Sequence, residues 1–247
     1  MDLTNKKIII TGSGSGIGLA TTNLVLAQGA IVAAFDIKNK TNLDSVAQDK
    51  NSSGVIRYWQ VDIRNSESVK KAVISAVKWF GGEVDVLLNI AGVLMGASID
   101  LPEFPDEIWD EVIDINLKGS YLMCKAVSHY MIKSESGVIV LCSSGAGVSG
   151  GSSSFAYGTS KGGTHGLAMV MEYRLRKFGI RVNDVCPGSI ETPLKVKQLE
   201  QTYKKTGNKQ DYVRDSKRLL KPDGVASVFA FLASDDARYV RGTIFTR

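Results

Sequence analysis

A tyrosine and a lysine lie four residues apart in the stretch FAYGTSKGG, as Tyr157 and Lys161. Side chains at positions i and i+4 are neighbours on one face of a helix, so this phenol and this ammonium can meet. A free phenol loses its proton only near pH ~10, and a neighbouring cation favours the phenolate. The pair is therefore a candidate general acid and base. Taken alone, the same spacing is also common on solvated helices that catalyse nothing.

A glycine-rich turn, TGSGSGIG, follows the first apolar run of the chain and opens onto an amphipathic segment. A strand before and a helix after form the context in which such a turn binds phosphates, because glycine admits a close approach and the helix N-terminus attracts anions. Three residues separate Gly12 from Gly16, so the spacing differs from G-x-G-x-x-G. The alternative is an ordinary tight turn. Candidate ligands of a dinucleotide pyrophosphate are Gly12, Ser15, Gly16, Ile17 and Gly18.

Two aspartates end apolar runs farther along the chain. Asp36 lies eighteen residues after the last glycine of the turn, close to where a carboxylate that binds the adenosine ribose is expected. Such a carboxylate accepts hydrogen bonds from the 2′-hydroxyl and repels a 2′-phosphate, which favours NAD over NADP, although Lys38 lies nearby and Asp36 could merely cap a loop. Asp62, in the stretch QVDI, suits an adenine amino group or is a plain strand-end residue. Ile37 and Ile63 are candidate neighbours of the same adenosine.

The composition is that of a globular protein: of 247 residues, 44% are hydrophobic and 22% are charged. This length allows one large domain or two small ones, and we expect one, spanning residues 1–247. No apolar run approaches the roughly 20 residues that cross a bilayer, and the N-terminus lacks the layout of a secretory signal. We therefore expect a soluble, cytoplasmic protein without a membrane partner.

The sequence does not indicate a metal site or a nucleic-acid site. Cys124, Cys142 and Cys186 are odd in number and lack C-x-x-C spacing, so we expect neither a disulfide framework nor a zinc site. His129 and His165 belong to no cluster of the H-x-x-x-H kind. The net charge of +5 comes from lysines and arginines dispersed along the chain, so we expect no nucleic-acid partner.

Short β-rich runs alternate with longer amphipathic segments, as in repeated β-α units with a parallel sheet. The predicted strands are Lys7 to Thr11, Ile31 to Asp36, Ile56 to Asp62, Val84 to Asn89, Gly137 to Ser143 and Arg181 to Cys186. The predicted helices are Ile17 to Gln28, Ser66 to Phe80, Trp109 to Ile132, Tyr157 to Phe178 and Asp223 to Ala233. This order predicts a single-domain, doubly wound α/β fold with a mainly parallel central sheet flanked by helices. In such sheets ligands bind beyond the carboxyl ends of the strands, where the glycine turn and both aspartates are expected.

The motifs of this sequence resemble those of the short-chain dehydrogenase/reductase family, which has the Rossmann fold. Besides the glycine turn and YGTSK, the chain carries NIAG from Asn89 to Gly92, IDINLKG around Asn116, CSS from Cys142 to Ser144 and PGSIETP from Pro187 to Pro193. These motifs occur in the family's order and spacing over essentially the full length. Two features depart from the pattern. Ile90 replaces a usual second asparagine, and RGTIFTR ends where many relatives continue, which concerns oligomer contacts more than chemistry.

The resemblance implies a role for each of four side chains. Tyr157 would be the general acid/base that exchanges a proton with the substrate oxygen while a hydride passes to or from the nicotinamide. Lys161 would favour the phenolate and hydrogen-bond the nicotinamide ribose. Ser144 would orient the substrate oxygen, and Asn116 would support a water that relays protons to the lysine.

The resemblance also implies further contacts with NAD. The NIAG segment, with Asn89, Ala91 and Gly92, would form the floor beneath the adenosine ribose. Residues after the sixth predicted strand would meet the nicotinamide, and they are Pro187, Gly188, Ile190 and Thr192. The side chains of Tyr157 and Lys161 would contact the cofactor as well.

The implied activity is hydride transfer between NAD(H) and a secondary alcohol or ketone that is hydrophobic or resembles a hydroxyacid. Residues 190–222 are polar and interrupted, as expected of a lid that covers the substrate. The residues expected to line the pocket are mainly apolar: Val93, Leu94, Met95, Val148, Phe155 and Leu194. Because Lys195 and Lys197 lie in the same segment, a substrate that bears a carboxylate is an open alternative.

Two alternatives also stay open: a catalytically silent dinucleotide-binding regulator, and a 3-oxoacyl reductase that uses NADPH. Such a regulator usually lacks the tyrosine or the lysine, and both are present here. By resemblance, we expect a homodimer or homotetramer built from the long helices that begin near Trp109 and Tyr157.

Overall fold

The central element of the computed structural model, which describes residues 1–38 and 53–246, is a parallel sheet of seven strands. The strands are β1 (Lys7–Thr11), β2 (Ile31–Asp36), β3 (Val55–Gln60), β4 (Val86–Asn89), β5 (Gly137–Cys142), β6 (Ile180–Cys186) and β7 (Gly242–Phe245). Their order across the sheet is β3-β2-β1-β4-β5-β6-β7, and neighbouring strands are parallel. The strand order therefore reverses between β1 and β4, which is where open sheets of this kind bind ligands.

Helices cover both faces of this sheet. They are α1 (Gly16–Ala27), α2 (Ser66–Trp79), α3 (Asp106–Ile113), α4 (Gly119–Ser134), α5 (Phe155–Leu175), α6 (Pro193–Thr206), α7 (Lys209–Lys217) and α8 (Pro222–Ala233). A π-helical turn, Asp114–Lys118, joins α3 to α4. No helix within the described part of the chain is both long enough and apolar enough to cross a membrane.

The sheet separates two apolar cores, because successive side chains of a strand point to opposite faces. In β1, Ile8 and Ile10 belong to the core beneath α1 and α8, whereas Ile9 belongs to the core beneath α2, α4 and α5. All three isoleucines are fully buried. This packing fixes the register of β1 and with it the position of the turn that follows.

The predicted doubly wound fold is confirmed, and the six predicted strands agree with β1 to β6 to within two residues at either end. The predicted helix from Trp109 to Ile132 is instead α3, the π turn and α4 in succession. The four-residue strand β7 is too short to show an alternating pattern and was not among the predicted strands. Residues 190–222 contain two helices, α6 and α7, that hydropathy does not reveal because few of their buried residues are apolar.

Candidate active site

A cavity of about 620 Å³ opens at the carboxyl ends of β1, β4, β5 and β6. It extends to both sides of the point where the strand order reverses. The N-terminal turns of α1, α5 and α6 supply further walls. This volume lies in the range of roughly 300–1,000 Å³ that is typical of ligand and cofactor sites.

Close backbone packing shapes the turn between β1 and α1. A Cβ atom placed on Gly18 would lie 2.0 Å from the carbonyl oxygen of Gly12, so there is no space for a side chain there. The first N–H groups of a helix have no partner within the helix, and the helix dipole is positive at that end. The start of α1 therefore presents donors and a favourable field to an anion in the cavity. Residues of this turn that line the cavity are Gly12, Ser15, Gly16, Ile17 and Gly18.

The Asp36 carboxylate is fixed beside the glycine turn. Its Oδ2 accepts a hydrogen bond from Gly14 N at 2.9 Å, and its Oδ1 accepts one from Lys38 N at 3.0 Å. Asp36 is half-buried, and the next residue, Ile37, is exposed. Neither residue lines the cavity itself. The Asp36 carboxylate thus contacts the glycine turn at Gly14, whereas other residues of the same turn line the cavity.

The second aspartate, Asp62, is bound by a near neighbour in the chain. Arg64 donates from Nε to Oδ1 at 3.0 Å and from Nη2 to Oδ2 at 2.8 Å. These hydrogen bonds lower the pKa of the Asp62 carboxyl. Ile63 is buried in the core beneath α2, α4 and α5. Asp62 and Ile63 both lie outside the cavity, so the structure does not bring them to its wall.

A buried chain of hydrogen bonds holds the ends of β1 and β4 together. Thr11 Oγ1 donates to Asn89 Oδ1 at 3.0 Å and accepts from the two backbone N–H groups that follow Asn89. Asn89 Nδ2 donates in turn to Ser120 Oγ at 2.8 Å. Asn89 is therefore behind the cavity wall, where it fixes the backbone that leads to Ala91 and Gly92 in the wall itself.

The π turn between α3 and α4 carries Asn116, which is fully buried. Its amide pairs reciprocally with the backbone of Val93, accepting at Oδ1 from Val93 N at 2.8 Å and donating from Nδ2 to Val93 O at 2.9 Å. Nδ2 also donates to Ser160 Oγ on α5 at 2.9 Å. π turns are rare and often occur at functional sites. Here the turn lets one amide join the segment after β4 to the helix that carries Tyr157 and Lys161.

Tyr157 and Lys161 project from the first turns of α5 into the cavity. The helix begins after Ser154, whose hydroxyl accepts a hydrogen bond from Tyr157 N. Lys161 is only 4% exposed, and its Nζ donates to Cys142 O, at the end of β5, at 2.6 Å. The same Nζ lies 5.8 Å from the centroid of the Tyr157 ring. Because a buried ammonium is costly without a hydrogen bond, the strand-end carbonyl is what holds this positive charge beside the phenol.

Ser143 and Ser144 follow β5, and both line the cavity. Ser144 Oγ accepts a hydrogen bond from Ala146 N at 3.2 Å, which leaves its own O–H to donate elsewhere. Ser143 Oγ is buried and has no hydrogen-bond partner within the described residues. The loop that follows packs on α5 at very short range, since a Cβ on Gly147 would lie 2.0 Å from Gly158 O. Part of the glycine content of α5 thus serves contact with this loop.

The first turns of α6 form a polar side of the cavity. The helix begins after Thr192, whose Oγ1 accepts from Lys195 N at 3.2 Å. Lys195 Nζ donates to Gln198 Oε1 at 2.8 Å, and Gln198 Nε2 donates to Thr202 Oγ1 at 3.0 Å. Thr202 Oγ1 lies 3.3 Å from Ser98 Oγ. We refer to the four cavity-lining side chains Ser98, Lys195, Gln198 and Thr202 as the polar wall.

A short backbone ladder ties together the two ends of residues 190–222. Ile190 and Leu220 form a parallel bridge, in which Glu191 N donates to Leu220 O at 2.7 Å and Leu220 N donates to Ser189 O at 3.0 Å. Lys221 and Glu191 add an ion pair of 2.7 Å between exposed side chains. The segment that contains α6 and α7 therefore begins after β6 and ends beside its own first residues.

The cysteines of the chain are free, buried thiols. Burial raises the pKa of Cys124 and of Cys186 to about 12, and it also raises the pKa of Cys142. Cys142 lines the cavity but contributes its carbonyl oxygen to Lys161. Within residues 1–38 and 53–246, no three His, Cys, Asp or Glu side chains gather as metal ligands.

Most of the predicted site residues line the cavity. These are Gly12, Ser15, Gly16, Ile17, Gly18, Ala91, Gly92, Ser144, Tyr157, Lys161, Pro187, Gly188, Ile190 and Thr192. The predicted residues that lie outside it are Asp36, Ile37, Asp62, Ile63, Asn89 and Asn116. Asn89 and Asn116 are buried and act through the backbone segments to which they are bonded.

The expectation of a mainly apolar pocket is wrong for this cavity. Of the apolar residues expected to line it, only Leu94 and Leu194 do so. Phe155 instead packs edge-on against Phe104, with 5.8 Å between the ring centroids. Ile90, Ile190 and Leu199 are further apolar residues of the cavity lining, which also contains the polar wall.

Three members of the polar wall were not predicted from the sequence: Ser98, Gln198 and Thr202. Gln198 and Thr202 follow Lys195 by three and seven residues, a spacing that places all three on one face of a helix. This spacing is the available signal, but the face is polar. A search for apolar periodicity therefore passes over it.

Known proteins resemble this chain over nearly its whole length. Residues 6–203 match the family described as short chain dehydrogenase. A 3-oxoacyl-(acyl-carrier-protein) reductase from Thermotoga maritima is 38% identical over 245 residues, which cover 99% of this chain and 96% of the relative. The structure of a levodione reductase superposes with a TM-score of 0.89 at 28% identity, covering 98% of this chain and 96% of the other. That of a carveol dehydrogenase from Mycobacterium avium, in complex with NAD, has a TM-score of 0.89 at 26% identity, with 99% and 96% covered.

Proposed function

Because the chain belongs to the short-chain dehydrogenase family of oxidoreductases, whose members bind a nicotinamide dinucleotide, we propose that it transfers a hydride between NAD(H) and a secondary alcohol or ketone. One observation carries this proposal. The Lys161 ammonium is buried, and the carbonyl of Cys142 holds it beside the Tyr157 phenol at the wall of the cavity. Tyr157, Lys161 and the glycine turn line the same cavity, so the proposed proton exchange and cofactor binding would take place in one cavity.

The residues of the cavity fit the cofactor. The turn at Gly18 has no room for a side chain, and the start of α1 favours an anion, which suits a pyrophosphate. Ile190 and Thr192 are among the wall residues that would hold the nicotinamide half. When bound, the dinucleotide supplies or accepts the hydride. Asp36 would accept hydrogen bonds from the adenosine ribose, and its carboxylate would repel a 2′-phosphate, so we propose NAD as the preferred form.

Tyr157 would exchange the proton with the substrate oxygen. In oxidation its phenolate takes the proton of the alcohol, and in reduction its phenol donates a proton to the carbonyl oxygen. The Lys161 ammonium would stabilise the negative charge that develops on the phenol oxygen while the proton is transferred. The bond to Cys142 O leaves other Nζ protons for a ribose hydroxyl.

Ser144 and Asn116 would assist that proton exchange. Ser144 lies in the cavity wall with its O–H able to donate, so it would hold the substrate oxygen in place. Asn116 fixes the backbone of Val93 and the hydroxyl of Ser160, one residue before Lys161. We propose that it keeps this side of the cavity rigid and supports a water that passes protons to the lysine.

A second candidate function is that of a 3-oxoacyl reductase that uses NADPH. It is favoured by the name of the Thermotoga maritima relative, which shares 38% of its residues with this chain. Asp36 argues against it, because a 2′-phosphate next to this carboxylate would meet a like charge. The cofactor preference therefore separates the two candidates.

We also propose that the outer face of α5 joins two copies of the chain. Met169, Val170 and Tyr173 are 59%, 58% and 67% exposed and lie within about one turn of the helix, and contiguous apolar exposure of this kind marks interfaces. Light scattering is expected to give a dimer or tetramer for the wild type and a smaller species for Val170→Asp. Tyr239→Glu, at a tyrosine that is 84% exposed elsewhere, serves as the control. A wild-type monomer would contradict this proposal.

The experiment that tests the proposed function is a cofactor-linked screen of the purified chain. Secondary alcohols are incubated with NAD and, separately, with NADP, and the reduced cofactor is followed by absorbance. Ketones and a 3-oxoacyl thioester are then tested with NADH and NADPH. Oxidation of a secondary alcohol with NAD in preference to NADP supports the proposal. NAD binding without turnover of any compound would favour the regulator, and reduction of the thioester with NADPH alone would favour the second candidate.

A further inference from the structure

The polar wall carries a cation that lacks an anionic partner. Among the described residues, no carboxylate oxygen lies within 4.0 Å of Lys195 Nζ, and its hydrogen-bond partner is the neutral amide oxygen of Gln198 at 2.8 Å. Asp215 lines the same cavity, but its carboxylate is paired with Arg214 Nε at 3.0 Å. The wall therefore presents a positive charge to the cavity that the protein itself does not neutralise by contact.

Burial makes this charge costly to maintain. It lowers the pKa of the Lys195 ammonium, while the more distant charge of Asp215 acts in the opposite direction. An anion in contact with a partly desolvated ammonium offsets such a cost. The cavity beside Lys195 is thus more favourable for an anion than for a neutral group of the same shape.

The neighbours of Lys195 hold its side chain in a defined orientation. Gln198 is 5% exposed, and its amide is fixed at both ends, by Lys195 at Oε1 and by Thr202 at Nε2. The Thr202 hydroxyl is in turn 3.3 Å from that of Ser98. The ammonium and the two hydroxyls belong to one wall of the cavity, and each is a hydrogen-bond donor that suits a carboxylate oxygen.

Lys197 provides the comparison within the same helix. It is exposed and does not line the cavity, whereas Lys195 is half-buried and does. If α6 attracted anions only through its overall positive charge, removing either lysine would weaken binding. If the anion binds in the cavity, only the removal of Lys195 would weaken it.

We propose that Lys195, oriented by Gln198, binds a carboxylate of the substrate. The inference rests on the function proposed above, and it narrows the substrate class to secondary alcohols and ketones that carry a carboxylate. Lys195 acts in specificity, because it lies on α6, a different wall element from the end of β5 and the start of α5 that carry Ser144 and Tyr157.

The test compares hydroxy acids of increasing chain length with their methyl esters, using NAD as cofactor. We expect the wild type to prefer the acid of best length over its ester. In Lys195→Met, KM for that acid is expected to rise about tenfold or more, while kcat and the values for the ester change little. Lys195→Arg is expected to restore part of the preference, and Lys197→Met to behave as the wild type.

Three outcomes would overturn the inference while leaving the proposed function intact. In the first, the wild type oxidises other alcohols but shows no preference for any acid over its ester. In the second, Lys195→Met lowers turnover of acid and ester equally. In the third, Lys195→Met weakens NAD binding measured in the absence of substrate, which would assign the ammonium to the phosphates of the cofactor. Failure of the wild type to oxidise or reduce any compound contradicts the proposed function itself.

Discussion

Two tyrosine–lysine pairs with the same spacing lie on successive long helices, and they differ in what surrounds them. The pair Tyr157 and Lys161 lies on α5, and the pair Tyr121 and Lys125 lies on α4. In both pairs the lysine Nζ is 5.8 Å from the centroid of the tyrosine ring. The α4 pair is exposed, whereas Lys161 is 4% exposed and bonded to Cys142 O. Spacing brings ammonium and ring together in both cases, but only the α5 pair lies in the cavity.

The two pairs therefore differ in the desolvation of the lysine and in its contact with the end of a strand. Lys125 lies in solvent, where water and salt screen a charge. Lys161 is held by the carbonyl at the end of β5 and lies in the cavity wall, largely removed from solvent. The sheet edge therefore converts a common helical spacing into a candidate acid/base.

A large loss of kcat is expected when the buried ammonium of Lys161 is removed, and little loss when the exposed ammonium of Lys125 is removed. Lys161→Met is expected to lower kcat by about 10²-fold or more, because the phenolate loses its neighbouring cation. Lys125→Met, the matched change at the exposed pair, is expected to leave kcat within about twofold. Steady-state kinetics with the alcohol identified by the screen measure both.

A stability measurement accompanies these two variants. Lys161→Met leaves the buried oxygen of Cys142 without this donor, at a cost of about 1–3 kcal/mol, so its thermal unfolding is recorded beside the kinetics. Equal loss of kcat in a folded Lys161→Met and in Lys125→Met would show that burial does not distinguish the pairs.

A smaller effect is expected at Asp36, which separates cofactor binding from the chemistry of the α5 pair. Asp36→Ala removes a charged hydrogen-bond acceptor, so the Kd for NAD is expected to rise about tenfold or more, while kcat at saturating NAD changes far less. The ratio of NADP to NAD affinity is expected to rise, since the repulsion of a 2′-phosphate is lost. Glu107→Ala, an exposed carboxylate on α3, is the control. Unchanged NAD affinity in Asp36→Ala would remove Asp36 from the cofactor site.

The fold could be predicted because its strands are compact apolar runs between helical patterns. β1 is the clearest case, since three consecutive buried isoleucines serve both faces of the sheet. The elements that lack apolar periodicity could not be predicted from the sequence. The strand β7 is four residues long, and α6 places Lys195, Gln198 and Thr202 toward the cavity beside two leucines.

The site could be predicted in its motifs but not in its contacts. The spacing Y-x-x-x-K occurs at Tyr121, Tyr157 and Tyr173, and the neighbouring motifs rather than the spacing single out Tyr157. The bond from Lys161 to Cys142 O depends on how α5 packs against β5. The polar wall joins Ser98 to Thr202, which are 104 residues apart, so only the folded chain brings them together.

The proposal that Tyr157 exchanges the proton is tested most directly by removing the hydroxyls of Tyr157 and Tyr121 separately. Turnover and NAD binding are measured for each variant. Tyr157→Phe is expected to lower kcat by about 10³-fold while the Kd for NAD stays within about threefold of the wild type, since the ring remains and only the proton donor is lost. Tyr121→Phe is expected to keep both values. Turnover of Tyr157→Phe close to that of the wild type would contradict the assignment of Tyr157 as the group that exchanges the proton.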